Sequence, residues 1–109
     1  MNVRLYVLQR ATAALMAPLV LVHLALILYA SGRGLSAADI LARTRGSLVW
    51  GTFYATFVLA AAVHAAIGLR SVLGEWTSLR GRRLDLATGV LFLLLAALGL
   101  RAVAAVVLP

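Results

Sequence analysis

One histidine, His64, lies within a 23-residue stretch, Ser47 to Leu69, that is otherwise almost wholly apolar. An imidazole at bilayer depth is costly, and ionisable side chains in such segments usually pair, relay or bind. The neighbours run Ala60-Ala61-Ala62-Val63-His64-Ala65-Ala66-Ile67-Gly68, small on both sides of the ring, which leaves room for a bulky flat partner. The chemistry this pairing suggests is an axial ligand beside a porphyrin. The plain alternative is an imidazole buried between helices and bonded to a neighbouring carbonyl. Steps of four, three and four residues from His64 reach Gly68, Ser71 and Glu75 on one helical face. If the helix continues past Leu69, that face joins a buried imidazole to an acid at the water boundary roughly 16 Å away. A face turned toward a neighbouring helix would carry the same small and polar residues.

The elements that must position these side chains are membrane spans. Of 109 residues, 64% are apolar and 12% charged, too little polar surface to cover a soluble globule. Three apolar segments, residues 11–30, 47–69 and 86–108, contain 20 to 23 residues each. At ~1.5 Å per residue each covers about 30 to 35 Å, enough for one crossing. The expected fold is all-α, a single membrane anchor domain over residues 1–109 with three transmembrane helices. Residues 11–30 exceed a typical signal-peptide core and are read as a permanent span. Between the first two spans, Ser36 followed by Asp39 has the spacing of a helix start, and Leu35, Ile40 and Leu41 are placed to face the membrane. A short interfacial helix is expected there. The segment from Arg70 to Asp85 is expected to be the second connection, punctuated by Gly74 and Gly81.

The net charge of +7 comes from ten arginines against three acids. Apart from Arg80, Arg82 and Arg83 they form no dense stripe, so they read as topology signals and interface anchors, and nucleic acid is not an expected partner. Six arginines flank the first span or lie in the second connection, against three in the first connection, which puts the N-terminus inside and the C-terminus outside. Cysteine is absent, so thiolate metal sites, iron–sulfur ligation and disulfides are excluded within this chain. Three such helices bury polar groups that they can rarely satisfy alone, which implies membership of a larger helical bundle.

Two runs carry a family resemblance: Gln9-Arg10-Ala11-Thr12-Ala13 ahead of a Pro18-containing span, and His64-Ala65-Ala66-Ile67-Gly68-Leu69-Arg70-Ser71-Val72-Leu73-Gly74-Glu75-Trp76. Across essentially its whole length the chain resembles the small three-helix membrane anchor (cytochrome b) subunits of succinate dehydrogenase, complex II, and related quinol:fumarate reductases. The resemblance implies a non-catalytic subunit of a succinate:quinone oxidoreductase in the inner (cytoplasmic) membrane of a bacterium. Its partners would be a flavoprotein subunit, an iron–sulfur subunit, a second anchor subunit, quinone and the lipid bilayer. By the same resemblance His64 corresponds to an axial ligand of the iron of haem b shared between two anchor chains, with its other ring nitrogen held by a backbone carbonyl or water. Arg10 matches the family arginine near the haem propionates and quinone pocket, and Arg70 is a second candidate for the propionates. Glu75 and Trp76 stand where many members have aspartate and tyrosine. An indole can only donate a hydrogen bond, so Trp76 is expected to hold a carbonyl of ubiquinone or menaquinone while Glu75 or a partner residue handles the proton.

The residues also have simpler readings. His23, about 140 degrees around the helix from Arg10, is read as a polar contact between helices. Arg10 and Arg70 also fit as headgroup anchors, Trp50, Tyr54 and Trp76 as aromatic belts, and Arg101 as a snorkelling cation. Pro18 is expected to remove one backbone bond and bend the first helix. Two other functional classes stay open: a haem-free structural anchor or assembly protein, and a small proton or ion transporter subunit. Against the latter, no acid lies within a span.

Overall fold

A computed structural model describes residues 2–109, which form four helices: α1 (Val3–Arg33), α2 (Ala37–Thr44), α3 (Leu48–Trp76) and α4 (Gly81–Val107). Three of them, α1, α3 and α4, are long and apolar enough to cross a membrane. Each outruns its apolar segment, because polar residues at the flanks extend the backbone hydrogen bonding beyond the oily stretch. α3 in particular continues without a break through Arg70 to Trp76, and the second connection shrinks to residues 77–80. Gly81 opens α4 with φ +61°, a left-handed conformation that glycine adopts without steric cost. α1 remains one helix through Pro18.

The middle layer is α3. Of the most apolar stretch of each span, 22% is buried in α3 against 6% in α1 and in α4, so the outer helices lean on α3 and expose most of their surface. On α1 the shielded positions are Leu5, Gln9, Thr12, Met16, Leu19, His23, Leu26 and Ala30, and every other described residue of the helix is exposed. The spacing alternates between four and three, the seam of a left-handed coiled-coil contact. Across it Gln9 meets Gly68, Thr12 meets His64 and His23 meets Tyr54 and Phe57, a register that makes the helices antiparallel. The α3–α4 seam is antiparallel too, with Gly51 against Val107, Gly99 against Val58 and Gly74 against Leu84.

α2 is the short helix anticipated before Ser47. Its capping box is complete: the Ser36 hydroxyl accepts from the Asp39 backbone N–H at 3.2 Å, and an Asp39 carboxylate oxygen accepts from the Ser36 backbone N–H at 2.9 Å. These bonds, the backbone one first, hold the Asp39 carboxyl below its ordinary value. The expectation that Ile40 faces the membrane is corrected. The buried Thr44 hydroxyl donates to the Val106 carbonyl at 2.6 Å and the Gly46 N–H donates to the Val107 carbonyl at 2.7 Å, which ties α2 to the orphan carbonyls ending α4. That tether rolls Ile40 inward, onto a cavity between the helices.

Candidate functional site

His64 sits in the α1–α3 seam, and its Nδ1 is 3.2 Å from the hydroxyl of Thr12. The Thr12 oxygen is also 2.9 Å from the Leu8 carbonyl and 3.0 Å from the Gln9 carbonyl of its own helix. A hydroxyl has one hydrogen, and the preceding turn supplies two acceptors for it, so the oxygen lone pair is what faces the imidazole. With the ring proton on Nδ1, the imidazole donates to Thr12 and Nε2 keeps its lone pair. The polar group beside Nδ1 is a side chain on the facing helix, the Thr12 hydroxyl. Both backbones already use their own polar groups within the helices.

Nε2 makes no hydrogen bond among the described residues and is not sealed in, and His64 lines an open groove of about 410 Å³ with Ala13, Met16, Ala17, Val20 and Leu21 of α1. Small residues at 13 and 17 lower the wall next to the ring. The groove faces out of the bundle, so a second chain can close it. Among the described residues no three His, Asp or Glu side chains stand together as a metal site. Iron at His64 would need its remaining ligands from the macrocycle and from another chain, as the chemistry of a haem held between two subunits requires. One imidazole with Thr12 at its Nδ1, set beside a groove walled by the small Ala13 and Ala17, fits that group.

Arg10 is exposed and precedes Ala13, Ala17 and Leu21 at helical spacing, at the end of the stripe that walls the groove. Its guanidinium carbon lies 5.9 Å from the Tyr6 ring centroid. Gln9, which drew no attention as a sequence feature beyond its place in the N-terminal run, is half-buried one turn before Thr12. Its Nε2 is 3.4 Å from where a Cβ on Gly68 would lie, and its Oε1 is buried without a partner. The signal available for Gln9 and Thr12 was their place in the four-three seam of α1.

Arg70 is not brought to this groove. It lies about 120 degrees around α3 from His64 and donates through Nε and Nη2 to Asp85 Oδ1 at 3.2 and 2.9 Å. Glu75 and Trp76 end α3 in the open, Trp76 with 83% of its surface exposed. The unbroken helix does carry His64, Gly68, Ser71 and Glu75 on one face, as their spacing requires. His23 departs from its expected polar contact: its ring meets Phe57 and Tyr54 edge-on at 5.3 and 6.1 Å, and Nδ1 is buried with no partner.

The family model described as succinate dehydrogenase/fumarate reductase transmembrane subunit matches residues 1–106, nearly the whole described chain. No curated protein and no solved structure matches.

Proposed function

From the premise that the chain belongs to the succinate dehydrogenase/fumarate reductase transmembrane subunit family, we propose that it anchors the catalytic subunits to the inner face of a bacterial cytoplasmic membrane and holds one side of a haem b through His64. The observation that carries this reading is the 3.2 Å contact between His64 Nδ1 and Thr12 in a residue that also lines the groove. When bound, haem supplies one-electron relay at membrane depth. Thr12 accepts from Nδ1 and fixes the ring plane against α1. Ala13 and Ala17 give the macrocycle a low wall, and Arg10 offers a planar fork of donors to a propionate carboxylate at the end of the same stripe. Arg70, engaged by Asp85, pins α3 to α4 instead.

The arginine distribution supports an inside N-terminus. That orientation puts Glu75 and Trp76 on the same side as the flavoprotein and iron–sulfur subunits. The exposed Trp76 indole donates to a quinone carbonyl in a pocket that the second anchor and the iron–sulfur subunit complete, and Glu75 holds the proton. Succinate oxidation or fumarate reduction proceeds in the partner subunits. The test is His64→Ala in the intact complex, read by reduced-minus-oxidised spectroscopy. The expected result is loss of the b-type signal while succinate oxidation by an artificial dye persists. An unchanged b-type spectrum removes His64 as ligand, and a wild-type complex without any b-type signal favours a haem-free anchor.

A further inference from the structure

On the side of the α1–α3 seam opposite the His64 groove, a second open groove of about 330 Å³ runs between α1 and α4, with α3 as its floor. Its apolar walls include Leu5 and Leu8 of α1, Val63 and Ile67 of α3, and Gly89 and Phe92 of α4, and both Arg70 and Asp85 line it as well. Leu8 and Ala13, which wall the two grooves, lie about 140 degrees apart around α1. A chain that closes the His64 groove therefore leaves this one facing lipid.

The ion pair in the groove stands at a defined depth. Arg70 is the first residue past the apolar segment 47–69 and Asp85 the last before the segment 86–108, so the pair marks the border between hydrocarbon and head groups. Its bonds are one-sided. Arg70 Nε and Nη2 both donate to Asp85 Oδ1, at 3.2 and 2.9 Å, and neither Arg70 Nη1 nor Asp85 Oδ2 has a hydrogen-bond partner among the described residues. Both side chains can be reached from outside, Arg70 being 29% and Asp85 64% exposed. Thr88, the other polar residue of the groove, already donates its hydroxyl to the Leu84 carbonyl at 3.0 Å. What remains is a cationic donor, an anionic acceptor and an oily channel in contact with both. A ligand that matches carries an anion and a cationic N–H donor in one head group, attached to a hydrocarbon chain. Phosphatidylethanolamine has these in the right order: the phosphate next to its glycerol suits the less exposed guanidinium, and the outer ammonium suits the more exposed carboxylate. Phosphatidylglycerol would set its charge beside Asp85 with no cation to offer it, and phosphatidylcholine has no N–H to donate.

We propose that Arg70, Asp85 and the groove between α1 and α4 form a binding site for a zwitterionic aminophospholipid, with its phosphate on Arg70, its ammonium on Asp85 and one acyl chain along the groove. The site is independent of the haem reading. The experiment places the intact complex, as wild type, Gly89→Leu and Asp85→Asn, in nanodiscs of phosphatidylethanolamine, phosphatidylglycerol and phosphatidylcholine in equal parts, and counts the lipids that stay bound by native mass spectrometry. A Cβ added at Gly89 meets nothing within 4 Å, so leucine there fills the tail space without pressing on the protein. Wild type is expected to hold one phosphatidylethanolamine more than Gly89→Leu. Asp85→Asn keeps the groove and loses the preference for phosphatidylethanolamine over phosphatidylcholine by about tenfold, the size expected for removal of a charge-assisted acceptor. Glycerophosphoethanolamine, the same head group without tails, does not displace the lipid. Should Asp85→Asn fail to assemble, Gly89→Leu against wild type decides. Equal phosphatidylethanolamine retention in wild type and Gly89→Leu overturns the proposal, as does phosphatidylglycerol or phosphatidylcholine held equally well by wild type, or displacement by the tail-free head group.

Discussion

Replacing Thr12 by valine removes one hydroxyl from the seam and keeps its shape. Thr12 is 7% exposed, so no water can take over the contact with His64 Nδ1. Leaving that N–H unsatisfied costs about 1 to 3 kcal/mol, which at 1.4 kcal/mol per decade is roughly 5- to 150-fold in any equilibrium that requires this tautomer. The range agrees with the roughly 10- to 100-fold loss of metal affinity typical when a ligand's hydrogen-bond partner is removed. The alternative for the ring, moving its proton to Nε2, forfeits the lone pair that would meet iron. The complex itself should survive, because one interhelical hydrogen bond contributes only about 0.6 kcal/mol in membrane proteins. The assay is haem content of purified Thr12→Val complex, haem titration of the depleted complex, and the midpoint potential of what remains. Expected are weaker haem binding and a potential shifted positive, since a less polarised imidazole donates less to iron and favours the reduced state. Thr12→Ser should restore both. Normal haem occupancy and potential in Thr12→Val would refute the reasoning.

Two further outcomes follow from the seams and the cap. A Cβ at Gly99 would run into Val58, so Gly99→Ala should lower the thermal stability of the α3–α4 pair by about 1 to 3 kcal/mol, with Val58→Ala as a suppressor; melting curves of the single and double variants check this. Asp39 titrates below its ordinary value of 3.8 because Ser36 stabilises its charged form. A carboxyl lowered in the folded state contributes stability that is complete above the ordinary value and lost as pH falls through the lowered one. Hydrogen exchange across α2, corrected for intrinsic pH dependence, should therefore accelerate only at acid pH, and Asp39→Asn should abolish that dependence.

The parts of this architecture legible in the sequence are those that depend on one helix at a time. Apolar run lengths identify α1, α3 and α4 as spans, and Ser36 with Asp39 marks α2, because a span or a cap is a local property. The extension of α3 to Trp76 was conditional in the sequence, since Gly74 reads as punctuation until Leu84 is seen packed beside it. Contacts that depend on the register between helices were not legible. The Thr12 partner of His64, the ion pair that takes Arg70 away from the groove, the aromatic surroundings of His23 and the inward roll of Ile40 each require knowing which residue faces which across a seam. The face running from His64 to Glu75 was legible because a single unbroken helix carries all of it.

The most direct measurement is a cryo-EM map of the intact complex isolated without added haem. The account predicts tetrapyrrole density against Ala13 and Ala17, with iron bonded to Nε2 of His64, Nδ1 within hydrogen-bond distance of Thr12, and the second axial ligand arriving from another subunit. A groove filled by lipid tails or by side chains of the neighbouring anchor, with His64 Nε2 bonded to protein or left free, would contradict it.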